Sequence, residues 1–471
     1  MTERMTAREV IALVADGFTP LPPPPDASRT DGTAVDGDGT AVDGPLGWTG
    51  YDDSRARASA RTGEDESILC GTAEVGGRAC VLAVFEFGFL GGSLGRATGD
   101  RIVAAYAAAA ELRVPLVSLV ATGGSRMQEG MIALGQLQRV AAASVRLRAA
   151  GVPQIAVLRD PTTGGGWATV GAGADVTLAL PGAQVAFAGS RVRPPDADPA
   201  AYTAEDQYAH GHVDALVAPA RLRDTLASWL RLLAPDTGVA GHDGTPAPPP
   251  YALRDLPLPA TGWEAVLRAR AADRPRAGAY LDAYFEVRAA IRGDRAGGAD
   301  DRVECGLGLH EGRVVAYAAQ DGGATRPAGF RTVVRLLGLA ERLGIPVLTL
   351  IDTPGAANDA AAERAGAGPA IAQAFAAIAG ARVPVTSLVV GEGGSGGALA
   401  LAAPGATWVT PDGYFSVIAP ELAARILKLA DEQVPETAGQ LRLRPQDLVE
   451  LGAARGVVGV AGSSGHPAEP A

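Results

Sequence analysis

The chain has 471 residues, 47% of them hydrophobic, and a formal net charge of −11. That length exceeds one ordinary core and predicts two domains, while the acidic balance argues against a nucleic-acid surface. Three cysteines, Cys70, Cys80 and Cys305, form no C-x-x-C pair, which excludes a four-cysteine zinc site. No metal site is expected, and the thiols read as buried and free. No apolar stretch approaches the ~20 residues of a membrane span. The first residues lack the apolar core of a signal peptide, so a cytoplasmic protein with no membrane partner is expected.

Residues 1–17 fit a short amphipathic helix. Pro20 to Pro45 is rich in proline and glycine and repeats DGTAVDG at 31–37 and 38–44. Residues 1–45 are therefore expected to be a low-complexity, largely disordered segment. A first domain follows over 46–233. The stretch APDTGVAGHDGTPAPPP marks a linker at 234–250, and a second domain covers 251–471.

The two domains are copies. ELRVPLVSLVATGG (111–124) reads like RLGIPVLTLIDTPG (342–355), and GVPQIAVLRDPTTGGG (151–166) like RVPVTSLVVGEGGSGG (382–397). Both pairs keep an offset of 231. GTAEVGGRACVL (71–82) matches GLGLHEGRVVAY (306–317) at 235, so the second copy is four residues shorter in between. Each copy alternates a hairpin, a helix (101–111; 329–343), a strand with a glycine turn, a helix (128–149; 362–379) and a second strand with a glycine turn. That is α/β in class, a repeated β-β-α unit with a buried sheet.

Each copy thus has two strands ending in glycine. Gly123-Gly124 pairs with Pro354-Gly355, and Gly164-Gly165-Gly166 with Ser395-Gly396-Gly397. The second turn of each pair enters helix-like sequence. Glycine brings backbone N–H groups close to a ligand, and a helix N-terminus adds unpaired donors and partial positive charge. Two such turns converging make an oxyanion hole, one per copy. Around Ser395 the chain also reads G-x-S-x-G, the pattern of a hydrolase elbow. That chemistry needs a histidine base, and the only histidine after Ser395 is His466, five residues from the end. The glycines therefore carry the chemistry. No G-x-x-x-x-G-K-[ST] phosphate loop occurs.

FEFGFLGGSLGRATGDRI (85–102), TGGSRMQEGM (122–131), DPTTGGG (160–166) and PGAQVAFAGSRV (181–192) resemble the β half of bacterial acetyl-CoA carboxylase carboxyltransferase. FRTVVRLLGLAERLGIPVLTLIDTPGA (330–356), GEGGSGGALA (391–400) and YFSVIAPE (414–421) resemble its α half, as GHVDALV (211–217) and LVELGAARGVV (448–458) resemble the closing segments. The resemblance implies two tandem crotonase-like superhelix domains and transfer of CO2 from carboxybiotin to the α-carbon of an acyl-CoA. It implies a thioester hole at Gly123, Gly124, Gly165 and Gly166, and a biotin hole at Gly355, Gly396, Gly397 and Ala398. It extends acyl-CoA contacts to Gly91, Gly92, Ser93, Arg126, Thr163, Gly164, Gly189 and Arg191. Deprotonated biotin would be the base, on a biotin carboxyl carrier protein loaded by a biotin carboxylase. A homodimer or larger assembly is implied, its sites shared between protomers.

Departures from the family concentrate on the biotin side. A low-complexity spacer stands in place of the β half's zinc ribbon. PEGY has become Pro327-Ala328-Gly329-Phe330, the usual GAYPGxxAEERGQSEAIA reads GAANDAAAERAGAGPAIA (355–372), and ISPEG reads Ile418-Ala419-Pro420-Glu421-Leu422. On the acyl side, Ser125 replaces an alanine and DPTTGGVSAS reads DPTTGGGWAT. Two further readings follow: a biotin-independent malonyl-thioester decarboxylase, needing only the first hole, and a degenerate scaffold subunit.

Overall fold

The computed structural model describes residues 4–24, 43–234 and 244–461. The chain divides near residue 240 into two compact units. The repeat of DGTAVDG and the histidines His242 and His466 lie mainly or wholly outside the described residues.

The first unit holds one mixed sheet. Its strands are β1 (Gly17–Pro20), β2 (Ile68–Val75), β3 (Arg78–Phe85), β4 (Leu116–Thr122), β5 (Gln154–Thr163), β6 (Val176–Ala179), β7 (Val185–Ala186) and β8 (Ala215–Leu216). The order is β1-β2-β3-β4-β5-β6-β8, with β7 beside β5. β1, β2 and β3 pair antiparallel, and the rest pair parallel. The second unit repeats the plan with β9 (Val287–Ile291), β10 (Val303–His310), β11 (Arg313–Gln320), β12 (Val347–Thr353), β13 (Val385–Gly394), β14 (Thr407–Val409), β15 (Tyr414–Ser416) and β16 (Gly456–Val457). Its order is β9-β10-β11-β12-β13-β14-β16, with β15 beside β13.

β4 and β12 are buried at every residue, as parallel strands covered on both faces must be. Their covering helices show why. Pro327–Leu343 starts with proline at N1 and ends at Gly344 in the left-handed region, φ 67°. Phe330, Val333, Leu337, Ala340 and Leu343 recur at helical spacing and are buried. Each large apolar side chain so buried contributes roughly 1.5–3 kcal/mol.

The offset of 231 holds in three dimensions. Leu116↔Gln154 through Thr122↔Thr162 is matched by Val347↔Val385 through Thr353↔Gly393, with the same register shift before the last pair. The parallel bridges Leu94↔Ser125 and Thr325↔Ala356 keep that offset. The four-residue difference therefore falls just after β3, where the first unit carries a longer loop.

The helix expected within residues 1–17 is present as Ala7–Val14. Three expectations are corrected. The described part of the segment 1–45 includes an ordered stretch, 4–24. Thr6 and Glu9 form a capping box on the helix Ala7–Val14, and β1 pairs with β2. The Glu86 carboxylate accepts from Ala7 N–H and Gly88 N–H, both at 2.7 Å, and Arg159 donates to the Phe85 and Met5 carbonyls. Residues 244–250 are not a free linker. Ala247 is buried, its carbonyl accepts from Thr386 Oγ1 at 2.7 Å, and Tyr284 donates to Pro248 O at 2.9 Å. The helix expected over 362–379 is split into Ala360–Arg364 and Ala367–Ala379 by Gly366, at φ 81°.

Glu86→Gln should loosen the N-terminal helix, because a carboxylate at a helix N-terminus is worth about 0.3–1 kcal/mol. Amide exchange over Ala7–Val14 should rise a few-fold while the second unit is unmoved. Unchanged exchange there would show that Glu86 does not hold the segment.

Candidate active site

In each unit the ends of two neighbouring parallel strands meet at the glycine turns. In the first unit, a β-carbon built on Gly124 would lie 3.6 Å from Gly164 Cα and 4.0 Å from Gly165 N. One built on Gly123 would lie 3.4 Å from Gly91 O, and one on Gly189 3.7 Å from Thr163 Oγ1. Gly92 packs on the Ala121 carbonyl with no space for a side chain. The loop after β3, the two strand ends and the segment after β7 thus share one corner. In the second unit, Gly397 packs directly on the Gly355–Ala356 peptide.

The two corners have the same backbone. Gly124 and Gly355 take φ of 109° and 138°, and Gly164 and Ser395 take 64° and 55°. Ser395 is a left-handed non-glycine, a conformation that costs on the order of 1–3 kcal/mol and is retained only where the surroundings impose it. It is exposed at the start of a helical turn, Ser395–Leu399.

Hydrogen bonding divides the expected donors. Gly123 N–H donates to Gly91 O at 2.8 Å. Gly124 N–H donates to Thr122 Oγ1 at 3.0 Å, and Gly355 N–H to Thr353 Oγ1 at 3.1 Å. These three N–H groups are committed within the fold, because a threonine two residues earlier folds back onto the turn. Gly165 and Gly166 N–H, and Gly396 and Gly397 N–H, lie at the second and third positions of a helical turn, where N–H groups have no intrahelical partner. Ala398 is the fourth residue of Ser395–Leu399, where the N-cap carbonyl of Gly394 accepts the first helical bond, so its N–H leaves the expected donor set.

Sequence reasoning missed one donor in each corner. Leu94 N–H donates to Gly124 O and Arg126 N–H to Leu94 O, and Thr325 N–H and Ala357 N–H repeat the pattern. In such a bridge the middle residue's own N–H faces the opposite way. Ser125 and Ala356 N–H therefore turn from the loop toward the neighbouring turn. The identical offset of the two bridges is the signal that could have found them.

Arg126 does not face a ligand. It is 1% exposed and donates to Glu66 Oε2 at 3.0 Å, Glu129 Oε1 at 3.3 Å, and Ser93 Oγ and O at 3.1 and 2.8 Å. Tyr51 OH also bonds Glu129. Burial alone would push the Glu66 carboxyl up, but Arg126 more than offsets it and holds the carboxyl below its ordinary value. Arg126 and Ser93 thus brace the Gly91–Ser93 loop against the β4 end. Thr163 Oγ1 donates to Thr122 O at 3.2 Å, and Arg191 is exposed.

The second corner rests on a different pair. Arg274 donates to both oxygens of Asp352 at 2.6 and 2.7 Å, with Arg276 at 3.5 Å. Glu392 N–H reaches Asp352 Oδ1 at 3.1 Å, and Arg270 bridges Glu392 and Glu421 at 2.9 and 2.6 Å. Burial pushes the Asp352 carboxyl up against the pull of Arg274. The histidine described in this unit, His310, bonds Tyr284 O at 2.7 Å and stacks on its ring. It ends β10 opposite Arg313, while Gln320, which reaches Gly397, pairs with Val303 at the other end. Seven strand residues, about 20 Å, separate that histidine from the glycine turn.

The three thiols are buried and free, and burial pushes Cys70 and Cys80 up to about 12. Among the described residues no cluster of three or more His, Cys, Asp or Glu could hold a metal ion, and no helix is long and apolar enough to cross a membrane.

Removing Arg126 leaves two buried carboxylates unpaired, which typically costs about 3–5 kcal/mol. Arg126→Met should be destabilised by that amount at pH 7 in denaturant titration. A carboxyl held low in the fold stabilises above its unfolded value and loses that contribution as pH falls. The gap between wild type and variant should therefore narrow below about pH 4.5, the ordinary value for Glu66. A gap that stays constant down to pH 3 would contradict the pairing.

Comparison with known proteins agrees with this arrangement. A family described as carboxyl transferase domain matches residues 31–230, and one described as acetyl co-enzyme A carboxylase carboxyltransferase-like matches 258–469. The acetyl-coenzyme A carboxylase carboxyl transferase subunits beta/alpha of Saccharopolyspora erythraea are 39% identical over 441 residues, 88% of this chain and 76% of the relative. A probable biotin-dependent acyl-coenzyme A carboxylase beta3 subunit of Mycobacterium bovis is 34% identical over 407 residues, 84% of this chain and 80% of the relative. The crystal structure of transcarboxylase 12S, a hexamer with methylmalonyl-coenzyme A and methylmalonic acid bound, superposes with a TM-score of 0.73 at 19% identity. That match covers 97% of this chain and 87% of the other and shows the crotonase-like fold. The chain belongs to the acetyl-coenzyme A carboxylase carboxyltransferase family, with β-like and α-like halves joined in one polypeptide.

Proposed function

We propose that this carboxyltransferase moves CO2 from N1′ of carboxybiotin to the α-carbon of an acyl-CoA, using one set of backbone donors per unit. One observation carries the reading. Each unit keeps N–H groups without an intrahelical partner at a helix start, in matched register, and among the described residues no histidine base stands beside the exposed serine of the second. Such a site stabilises negative charge on a ligand oxygen without supplying a side-chain base.

In this reading Gly165 and Gly166, with Ser125, face the thioester oxygen, whose charge grows as the α-proton leaves. Gly396 and Gly397, with Ala356, face the ureido oxygen of biotin. When CO2 departs from N1′, the negative charge left on the ureido group is held by those donors. The biotin nitrogen takes the α-proton, and the α-carbon takes CO2, so protons and charge balance without a protein acid or base. The donor set fits: each corner presents N–H groups to a carbonyl oxygen. Biotin would arrive on a carrier protein charged by a biotin carboxylase. Exposed apolar side chains flank each turn, Met127, Met131 and Leu134 in one unit and Val417, Leu422 and Ile426 in the other. They support assembly with further copies, as a homodimer or larger. The metabolic setting, fatty acid or polyketide, follows from which acyl thioester is preferred.

A second reading, biotin-independent decarboxylation of a malonyl thioester, is favoured by one feature: the sequence around the second turn departs from the family, with GAYPG replaced by Gly355-Ala356-Ala357-Asn358-Asp359.

Labelled malonyl-CoA with and without biocytin separates them. Biocytin-dependent loss of label from malonyl-CoA, with formation of carboxybiocytin, is expected. Label released as CO2 at the same rate without biocytin would instead establish the decarboxylase. Gly397→Val should abolish transfer, since its side chain would meet the Ala356 backbone. Ser395→Ala should stay within about threefold of wild type, because losing one donor from a hole costs ~10²–10³ and this hydroxyl is not one. Equal loss in the two variants would overturn the backbone reading.

A further inference from the structure

The two corners differ in one buried pair. In the first unit Phe85 and Leu94 are fully buried and apolar. At the matching positions the second unit has Gln320 and Thr325, both 0% exposed. Gln320 Nε2 donates to Thr325 Oγ1 at 3.0 Å and to Gly397 O at 3.1 Å. Only an N–H can face a carbonyl oxygen, so the Gly397 bond fixes which way the amide points. Its Oε1 is then buried with no partner among the described residues, an arrangement that is unfavourable on its own.

The local backbone explains why such a residue sits there. In the second unit the helical turn is short. Ala400 N–H reaches Gly396 O, but Leu401 N–H goes to Ala398 O at 3.1 Å, so Gly397 O receives no helical N–H. In the first unit the chain continues from Gly166 into a π turn, Trp167–Gly171, with Ala172 N–H on Trp167 O at 2.8 Å. A π turn pairs each carbonyl with the N–H five residues on, which supplies Gly166 O from the backbone. No polar side chain is needed there, and apolar Leu94 lies 3.4 Å from a β-carbon built on Gly166.

We propose that Gln320 is a positioning residue for the second donor set: it supplies the missing N–H to Gly397 O and so holds in place Gly397, whose own N–H belongs to that set. This rests on the two-corner reading of the transfer. Thr325 Oγ1 accepts the second N–H of the same nitrogen and so anchors it. The first corner needs no such residue, so the effect of losing it is confined to the second.

The test is Gln320→Met, close in volume and without polar atoms, in the full-length protein. Amide exchange should rise several-fold over 395–401 and stay unchanged over 164–171. The melting temperature should move by only a few degrees, since the variant removes an orphaned acceptor along with two bonds. kcat/KM for biocytin should fall roughly 10–100-fold, as misplacing a reacting group by ~1 Å can cost 10²-fold, while malonyl-CoA affinity by calorimetry is unchanged. Unaltered exchange over 395–401, or equal changes in both segments, would overturn the assignment. Absence of biocytin-dependent transfer in wild type would instead refute the proposed function, and the exchange measurement would still decide Gln320's role. Gln320→Asn, which keeps the amide on a shorter stem, should recover part of the exchange protection if the N–H is what matters.

Discussion

The structure depends on a contact between two backbones. At the end of β4 and β5, and again at the end of β12 and β13, one glycine peptide lies against another with no side chain between them. Gly397 against the Gly355–Ala356 peptide leaves no space for a β-carbon. That contact requires neighbouring parallel strands to end together. It also requires the chain to leave the second strand through a left-handed residue, and to start a helix immediately. The shared register shift and the φ values of Gly164 and Ser395 follow from it. The donors without an intrahelical partner follow too, since they are what a helix start leaves over.

Around that shared frame, each unit holds its corner by its own means. The first braces a long loop with Arg126, Glu66 and Glu129, and Gly91 O takes the Gly123 N–H. The second has Pro354 at the Gly123 position, so no N–H needs a carbonyl there, and its loop is four residues shorter. It clamps β12 and β13 with Arg274 and Asp352 and caps the helical turn with Gln320. Two corners of one origin have thus diverged in their supports while keeping their backbone. This divergence is consistent with two different carbonyl ligands and with one reaction shared between them.

Much of this was legible in the sequence. The offset of 231 located both strand pairs, both turns and the equivalence of Ser395 with Gly164. That equivalence shifts attention from the hydroxyl to the peptides. The commitments of individual N–H groups were not legible. Gly123, Gly124 and Gly355 read as donors from their position, yet Thr122, Thr353 and the Gly91 carbonyl take them. Such bonds depend on how a loop folds back, which no residue pattern encodes. Arg126 read as a ligand contact because a motif arginine suggests one. Its buried partner Glu66 lies 60 residues away in sequence. The helix Ala7–Val14 was legible, but the order of residues 18–24 and 244–250 was hidden by composition. A proline-rich stretch resembles a spacer until the sheet edge and core that receive it are known.

The central claim is that backbone N–H groups of two separate turns hold two different carbonyl oxygens. Glycine-selective ¹⁵N spectra of the full-length protein, with Gly165, Gly166, Gly396 and Gly397 assigned by substitution, test it most directly. A non-reactive malonyl-CoA analogue should shift the Gly165 and Gly166 amides, and biocytin the Gly396 and Gly397 amides. Ligands that shift the same pair, or that leave all four unmoved at saturation, would contradict the account.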